Sequence, residues 1–339
     1  MKKKIAAILI PVLLIAVIVA IALSRKAKPS YTDAGMQISN SGFYFDTVIT
    51  VTLYDETDDS LIDGCFDLCD RYEKMLSRTV EGSDIWNVNH AKGKETEVDP
   101  KTAYLLNEAL SYCELTGGRF DVSIAAASSL WDFGEHDNPL PDPDDLKKAL
   151  DHIDYRKVHL DKESCTVRLD DPEMMIDLGG IAKGFIADEL AAYLRDNDVQ
   201  RALINLGGNV MVLGSKPDGT PFKVGIQYPF KDEGEIIAAA EVSGCSLVTS
   251  GPYERYIEKD GRIYHHILDV RTGYAVENNL ISVSVCAPSS LQADALSTSV
   301  FVLGLEKGSE LIKSQDGVTA LIITDDKEMH TVDDFPIIE

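Results

Sequence analysis

The sequence is poor in basic residues, and its cysteines follow no regular pattern. Its 32 Lys and Arg stand against 56 Asp and Glu, a formal charge of −24 at pH 7. Such a surface repels nucleic acid phosphates and anionic lipid headgroups. The six cysteines lack paired zinc-type spacing, and no repeat of fixed period is present. Because 45% of the residues are apolar, a sizeable core is possible, and we expect buried thiols instead of a disulfide framework.

The first 23 residues differ from the rest of the chain. Three lysines precede an apolar run at residues 5–23. The run is long for a signal peptide, so an uncleaved anchor is favoured over cleavage after residues 20–22. A lipid anchor is not expected, because the segment lacks cysteine. We therefore expect a cell membrane protein with a flexible tether at 24–40 and its main domain, at 41–339, outside the cytoplasm.

Hydrophobic periodicity beyond the tether predicts a mixed α+β fold without regular βαβ alternation. Helices are expected at 59–77, between Asp99 as cap and Gly117 as terminator, near 146–152, at 183–196 and at 291–303. Strands are expected at 43–51, 157–160, 166–170, 174–178, 202–206, 222–226, 236–242, 262–268, 281–287 and 319–324.

A carboxylate and a hydroxyl stand four residues apart at Asp294 and Thr298. If residues 291–303 form a helix ended by Gly304, both oxygens lie on one face. Hard cations such as Mg²⁺ prefer oxygen ligands. Asp and Thr at this spacing also occur on many helices as ordinary surface or capping groups, so the pair alone does not decide between the two interpretations.

Three glycine-bearing segments follow short apolar strands. Residues 177–184 (DLGGIAKG) lead into a helix, where backbone N–H groups can hold an anion or simply form a tight turn; the spacing is not that of a P-loop. Residues 205–208 (NLGG) and 249–251 (TSG) suit either a turn or the close approach of a ligand. His265 and His266 are adjacent on a strand, so only one of them can face a given site.

The order and identity of these segments resemble the ApbE family of FAD:protein FMN transferases over roughly residues 40–335. The segments that carry the resemblance are 117–121 (GGRFD), 131–134 (WDFG), 177–184, 205–208, 249–251, 266–273 (HILDVRTG) and 294–298 (DALST). The chain departs from the pattern at 45–47, where it has Phe-Asp-Thr and many members have Met-Gly-Thr. It also has Val122-Ser123, Val270 and Ala275 where proline or threonine is common, so we expect altered loops with retained chemistry.

The resemblance implies an α+β fold with mostly antiparallel sheets and packed helices. It also implies that FAD is the substrate, that Mg²⁺ binds its pyrophosphate, and that a Ser or Thr hydroxyl of an acceptor protein attacks the FMN phosphorus while AMP leaves. The implied Mg²⁺ ligands are Asp294, Thr298 and the backbone carbonyls of Gly180 and Ser297. The implied FAD-binding residues are Arg119, Phe120, Asp121, Asp177, Lys183, Thr249, Ser250, Gly251, His266 and Ile267. Asp294 and His266 are the candidate catalytic residues, His266 as the base or as a group that only positions the ligand.

Three alternatives remain open at this point. The same site could hydrolyse FAD to FMN and AMP, with water in place of the acceptor hydroxyl. The chain could also be a non-enzymatic flavin-binding surface protein, which the Asp294 and Thr298 pair disfavours, or an anchored adhesion domain. By resemblance, the acceptor is a membrane or extracytoplasmic electron-transfer protein; the sequence does not identify it.

Overall fold

The computed structural model describes residues 30–32, 35–54, 56, 58–134, 138–231 and 234–338. The anchor expected at 1–23 lies outside these residues. Among the helices that are described, none combines the length and apolar character needed to cross a membrane. The domain expected from residue 41 onward falls almost entirely within the described part of the chain.

A nine-stranded antiparallel sheet forms the centre of the domain. Numbered along the chain and given in spatial order, its strands are β1 (Ser30–Thr32), β2 (Gly35–Tyr44), β3 (Thr47–Tyr54), β7 (Ala202–Leu206), β8 (Asn209–Leu213), β11 (Ser246–Ser250), β14 (Leu280–Ala287), β15 (Thr319–Thr324) and β16 (Met329–Val332). β11 pairs with both β8 and β14. The site described below forms at one end of β11.

The remaining strands form three small antiparallel sheets. Their strands are β4 (Thr96–Glu97), β5 (Val158–Asp161) and β6 (Thr166–Leu169) in one sheet, β9 (Phe222–Gln227), β10 (Ile236–Val242) and β17 (Ile337–Ile338) in the second, and β12 (Tyr256–Lys259) and β13 (Arg262–His265) in a hairpin. The expected α+β fold with antiparallel sheets is confirmed.

The described residues form eight α-helices, several of which begin and end at the expected signals. They are α1 (Ser60–Leu76), α2 (Asp84–His90), α3 (Pro100–Leu115), α4 (Ala125–Ser128), α5 (Pro143–Leu150), α6 (Ala182–Asp196), α7 (Ser290–Leu303) and α8 (Leu305–Lys313). The Asp99 side chain accepts from the Lys101 N–H and caps α3. Gly117, with a φ of 61°, follows the end of α3, and Gly304, with a φ of 82°, ends α7.

Both faces of the nine-stranded sheet are covered. The helices pack on one face, around core residues such as Ile204, Val283 and Leu296. The β9–β10 sheet packs on the other face, around Val212 and Val224. All five residues of β8 are consequently buried, so the strand lacks the polar alternation of a half-exposed strand.

The chain begins to pair into strands earlier than expected, and the single strand predicted at 43–51 is a hairpin. β1 and β2 occupy part of the segment expected as a tether at 24–40. Tyr44 pairs with Thr47, and the two turn residues Phe45 and Asp46 have φ values of 55° and 56°. This geometry is that of a tight two-residue hairpin, in which both turn residues take the left-handed conformation. The sequence does not reveal this turn, because glycine or asparagine normally marks such a turn and the run here is apolar and aromatic.

The strand expected at 174–178 is also absent from the described residues. Met174, Ile176 and Leu178 are buried with a period of two, which explains the prediction. The Asn89 side chain, and not a neighbouring strand, pairs with the backbone of Ile176: its Oδ1 accepts from Ile176 N–H (2.7 Å) and its Nδ2 donates to Ile176 O (2.9 Å). A local pattern cannot reveal a partner 87 residues away.

Helices α6 and α7 cross at a glycine. A Cβ on Gly184 would lie 2.2 Å from Ser290 O and 2.7 Å from Asp294 Cβ, so no side chain fits between the helices. One turn further along α6, the carboxylate of Asp188 accepts from Ser289 Oγ (2.7 Å), Ser290 N–H (2.8 Å) and Leu291 N–H (3.0 Å). Asp188 therefore caps α7 from a neighbouring helix and satisfies N–H groups that have no partner within α7.

Replacing Asp188 tests this cap. In Asp188→Ala the first N–H groups of α7 lose their acceptor, so the free energy of unfolding should fall by about 1–3 kcal/mol. The measurement is urea unfolding followed by circular dichroism. Asp196→Ala, at the exposed end of the same helix, is the matched control and should leave stability nearly unchanged. Equal stability of both variants would contradict the capping role.

Candidate active site

Asp294 lies on α7 with most of its side chain enclosed. It is 4% exposed, and the Gly184 N–H donates to its Oδ2 (2.8 Å). No hydrogen bond from a described residue reaches Oδ1, which leaves that oxygen for a ligand. Burial raises the pKa of Asp294, while the Lys183 charge and the Gly184 hydrogen bond lower it. A cation beside Oδ1 would stabilise the charged carboxylate.

The Ser250 hydroxyl joins the end of β11 to the same face of α7. Its Oγ lies 2.8 Å from Ser297 Oγ and 3.4 Å from Thr298 Oγ1. Ser297 Oγ also donates to Asp294 O (2.9 Å), so its hydroxyl is already engaged. Gly180 lies nearby, since a Cβ on it would be 3.8 Å from Thr298 Cγ2. The structure thus brings the four expected Mg²⁺-binding residues together with Ser250.

The donor set determines which metal could fit. Carboxylate, hydroxyl and carbonyl oxygens suit a hard cation that keeps several waters, such as Mg²⁺. The described residues contain no group of three or more His, Cys, Asp or Glu placed to hold a metal ion, which is the arrangement that zinc or other transition metals require. The residues present therefore fit Mg²⁺ with Asp294 as the charged ligand.

Lys183 provides positive charge at the site. It is the second residue of α6, and its charge lowers the pKa of Asp294, Glu254 and His266. Glu254 retains solvent exposure, yet the surrounding protein raises its pKa, and Asp294 adds to that rise. Lys183 therefore lies close enough to Asp294, Glu254 and His266 for its charge to act on all three.

The two adjacent histidines face opposite sides, as expected. The His265 ring is buried against Phe301, with Nε2 3.2 Å from Val276 O. His266 remains partly exposed, and its Nδ1 lies 3.3 Å from Arg255 O. A carbonyl can only accept, so Nδ1 carries the proton and Nε2 keeps a free lone pair. Enclosure by protein, followed by the Lys183 charge, lowers the pKa of His266 well below its ordinary value.

Asp177 is held by protein partners. Its Oδ1 accepts from Gly179 N–H (2.8 Å), and its Oδ2 pairs with Arg78 Nε (2.9 Å). Its backbone N–H donates to Val122 O (2.8 Å). These contacts stabilise the turn that carries Gly180, and the contact between Asp177 and FAD that the resemblance implies stays a prediction.

The segment Arg119-Phe120-Asp121 packs beside the residues of the site. Arg119 Nη2 lies 3.5 Å from Asp269 Oδ2 and 3.3 Å from Val302 O. Phe120 is buried against Gly180. Burial raises the pKa of Asp121, whose oxygens accept from Ser123 N–H (2.8 Å), Ser123 Oγ (2.6 Å) and Tyr155 N–H (3.1 Å). Asp121 and Phe120 thus have structural contacts, and their place in the lining of the FAD pocket stays a prediction.

Three further residues expected to bind FAD have protein contacts of their own. Thr249 Oγ1 lies 2.8 Å from Ser284 Oγ. A Cβ on Gly251 would come 2.2 Å from the Tyr253 ring, so glycine is required for the tyrosine to fold back. Ile267 is buried, and its carbonyl accepts from Val276 N–H (2.9 Å). These residues hold the end of β11 and the segment after His266 in place.

Sequence reasoning missed three residues that the structure places at or beside the site: Arg78, Asp188 and Glu254. Arg78 and Asp188 act through partners 99 and about 100 residues away along the chain, so no local pattern points to them. A local pattern could have pointed to Glu254, because it lies three residues after the TSG segment at 249–251.

Comparison with known proteins agrees with the geometry. The sequence profile of the ApbE family matches residues 45–322. The chain belongs to the ApbE family. A Klebsiella pneumoniae (strain 342) ApbE relative, named FAD:protein FMN transferase, is 36% identical over 292 residues, 86% of this chain and 90% of that protein. One from Treponema pallidum (strain Nichols), with the same name, is 39% identical over 278 residues, 78% of this chain and 77% of the relative.

Solved structures of ApbE proteins show the same fold. The ApbE protein of Thermotoga maritima aligns with a TM-score of 0.78 at 27% identity, over 91% of this chain and 97% of that one. The flavin transferase ApbE of Vibrio cholerae aligns with a TM-score of 0.78 at 25% identity, over 91% and 99%. The expected family and its α+β architecture are confirmed.

Proposed function

We propose that this chain is an Mg²⁺-dependent FAD:protein FMN transferase, which moves the FMN part of FAD to a Ser or Thr hydroxyl of an acceptor flavoprotein and releases AMP. The observation that carries the proposal is that Gly180, Asp294 and Thr298 lie next to one another, with the Lys183 charge close enough to act on Asp294 and His266. The names of the family relatives support it.

Each of these residues has a role in this reaction. Lys183 faces the diphosphate of FAD and offsets part of its charge, and Gly180, Asp294, Ser297 and Thr298 would hold Mg²⁺. Bound Mg²⁺ would neutralise charge on the diphosphate and orient it for in-line displacement. The acceptor oxygen bonds to the FMN phosphorus, the bond from that phosphorus to the bridging oxygen breaks, and AMP departs with that oxygen.

His266 Nε2 takes the proton of the acceptor hydroxyl. Its lowered pKa keeps the imidazole neutral and able to accept a proton throughout the neutral range. A low pKa also makes a weak base, but the negative diphosphate, once bound, raises the pKa of a neighbouring imidazole. His266 is therefore available before FAD binds and becomes more basic when the substrate is in place.

Removing the Asp294 charge tests the metal site. Asp294→Asn keeps an acceptor for Gly184 but loses the charged ligand, so transfer should fall by roughly two to three orders of magnitude. Covalent flavin fluorescence of an acceptor on a denaturing gel measures transfer, and calorimetric titration with Mg²⁺ measures binding directly. Asp196→Asn is the control.

The same assay separates the alternatives. Free FMN and AMP without labelled acceptor would indicate a hydrolase, and bound but unchanged FAD would indicate a flavin carrier. Transfer that persists in excess chelator, or normal Mg²⁺ binding by Asp294→Asn, would contradict the metal assignment.

His266 should determine how the rate of transfer depends on pH in the acidic range. His266→Ala should lower the transfer rate by about 10²–10⁴-fold with FAD affinity retained. In the unchanged chain, the lowered pKa leaves the base unprotonated in mild acid, so kcat/KM should stay flat from pH 8 to roughly 5.5 instead of halving near 6.5. His159→Ala, on an exposed strand, serves as the control. An unchanged rate in His266→Ala would rule out the base.

We further propose that the domain works outside the cytoplasm, held to the cell membrane by residues 5–23, and that its acceptor belongs to an extracytoplasmic or membrane electron-transfer system. The length of the apolar run and the lysines before it support this location. In fractionated cells the full chain should sediment with membranes, and protease added to spheroplasts should digest it. A chain without residues 1–23 should remain in the cytosol. Full-length chain found in the cytosol would refute the anchor.

A further inference from the structure

Two of the six cysteines lie in contact with each other. Cys245 Sγ and Cys286 Sγ are 3.4 Å apart, and both side chains border the core between the nine-stranded sheet and the β9–β10 sheet. Cys245 immediately precedes β11, and Cys286 is the next-to-last residue of β14. The two strands are paired, with Leu247 opposite Cys286. The two cysteines therefore lie at neighbouring strands that backbone hydrogen bonds already hold together.

The distance is short enough for a bond to form with little movement. A disulfide bond is about 2.05 Å long, so the sulfurs have to approach by little more than 1 Å. Rotation of the two side chains can provide this, because Cys245 lies at an irregular segment before the strand and is only half-buried. Cys245 is the more exposed residue of the pair, since Cys286 is buried.

The chemistry of the two thiols differs from that of the buried ones. The two thiols share a hydrogen bond, and this bond lowers the pKa of Cys245 to about 7. Burial raises the pKa of Cys65, Cys69 and Cys113 to about 12. The thiolate is the reactive form of cysteine, so Cys245 is the sulfur that reacts first.

We propose that Cys245 and Cys286 form an intramolecular disulfide when the protein meets a disulfide oxidant. The Cys245 thiolate attacks one sulfur of the oxidant RSSR and releases one RSH as a mixed disulfide forms. Cys286 then attacks the Cys245 sulfur, the second RSH leaves, and the new bond closes. In total, two thiols lose two protons and two electrons, and one oxidant molecule is reduced to two RSH.

The bond would fix the elements that carry the site. β11 starts next to Cys245 and ends at Ser250, which contacts Ser297 and Thr298. Four residues after Cys286 the chain enters α7, which carries Asp294. A disulfide between the two strands therefore limits how far Ser250 and α7 can move apart. The inference rests on the two sulfurs alone and holds whether or not the proposed transferase activity is correct.

Thiol counting tests the bond on the full chain. The protein is incubated with oxidised glutathione, denatured and labelled with N-ethylmaleimide, and its mass and peptides are measured. Four labels and a linked peptide pair containing Cys245 and Cys286 are expected. Cys165→Ser, which removes a thiol outside the pair, should keep the link with three labels. Cys245→Ser should show five labels and no link.

Stability gives a second readout that does not depend on labelling. The oxidised protein should unfold at a temperature on the order of 5 °C higher than the reduced protein, because the bond closes a long loop in the unfolded chain. The difference should vanish in Cys245→Ser. Six labels after oxidation, a glutathione adduct that persists on Cys245, or links between other cysteines would each overturn the proposal.

Discussion

The close contact of α6 with α7 at Gly184 is the constraint on which the site depends. Only glycine allows the first turn of α6 to lie against Ser290 and Asp294, and only at this separation can its N–H reach the Asp294 carboxylate. The same contact sets the position of Lys183, the residue before Gly184, relative to α7. A larger residue would push the two helices apart. The expected metal-binding oxygens, Lys183 and the Asp294 carboxylate would then no longer lie close together.

Charge explains why a metal suits this fold. A chain of net charge −24 repels a diphosphate from most of its surface, and at the site the charge of Lys183 acts on both Asp294 and Glu254. One lysine cannot balance two carboxylates and a substrate that is itself negative. A divalent cation beside Asp294 would add two positive charges, which would attract both the Asp294 carboxylate and the diphosphate.

Several parts of the molecule could be predicted because their signals are local. The caps of α3, the glycine that ends α7, the shared face of Asp294 and Thr298, and the opposite orientations of His265 and His266 all follow from spacing within a few residues. Contacts between distant segments could not. The Asn89 bonds to Ile176, the Arg78 brace on Asp177 and the Asp188 cap on α7 join residues about 90 to 100 positions apart. The Phe45–Asp46 turn could not be predicted, because its two residues are not the glycine or asparagine that usually form such a turn.

The pairing of β3 with β7 also affects how the chain acquires its structure. Residues 47–54 are synthesised early, but their partner Ala202–Leu206 follows about 150 residues later. At synthesis rates of about 5–20 residues per second, one side of β3 stays unpaired for roughly 10–30 seconds. During that interval the hairpin presents an open strand edge, which another chain can extend. The longest exposure to misassembly therefore falls on the N-terminal hairpin, far along the sequence from the glycine and the aspartate on which the site depends.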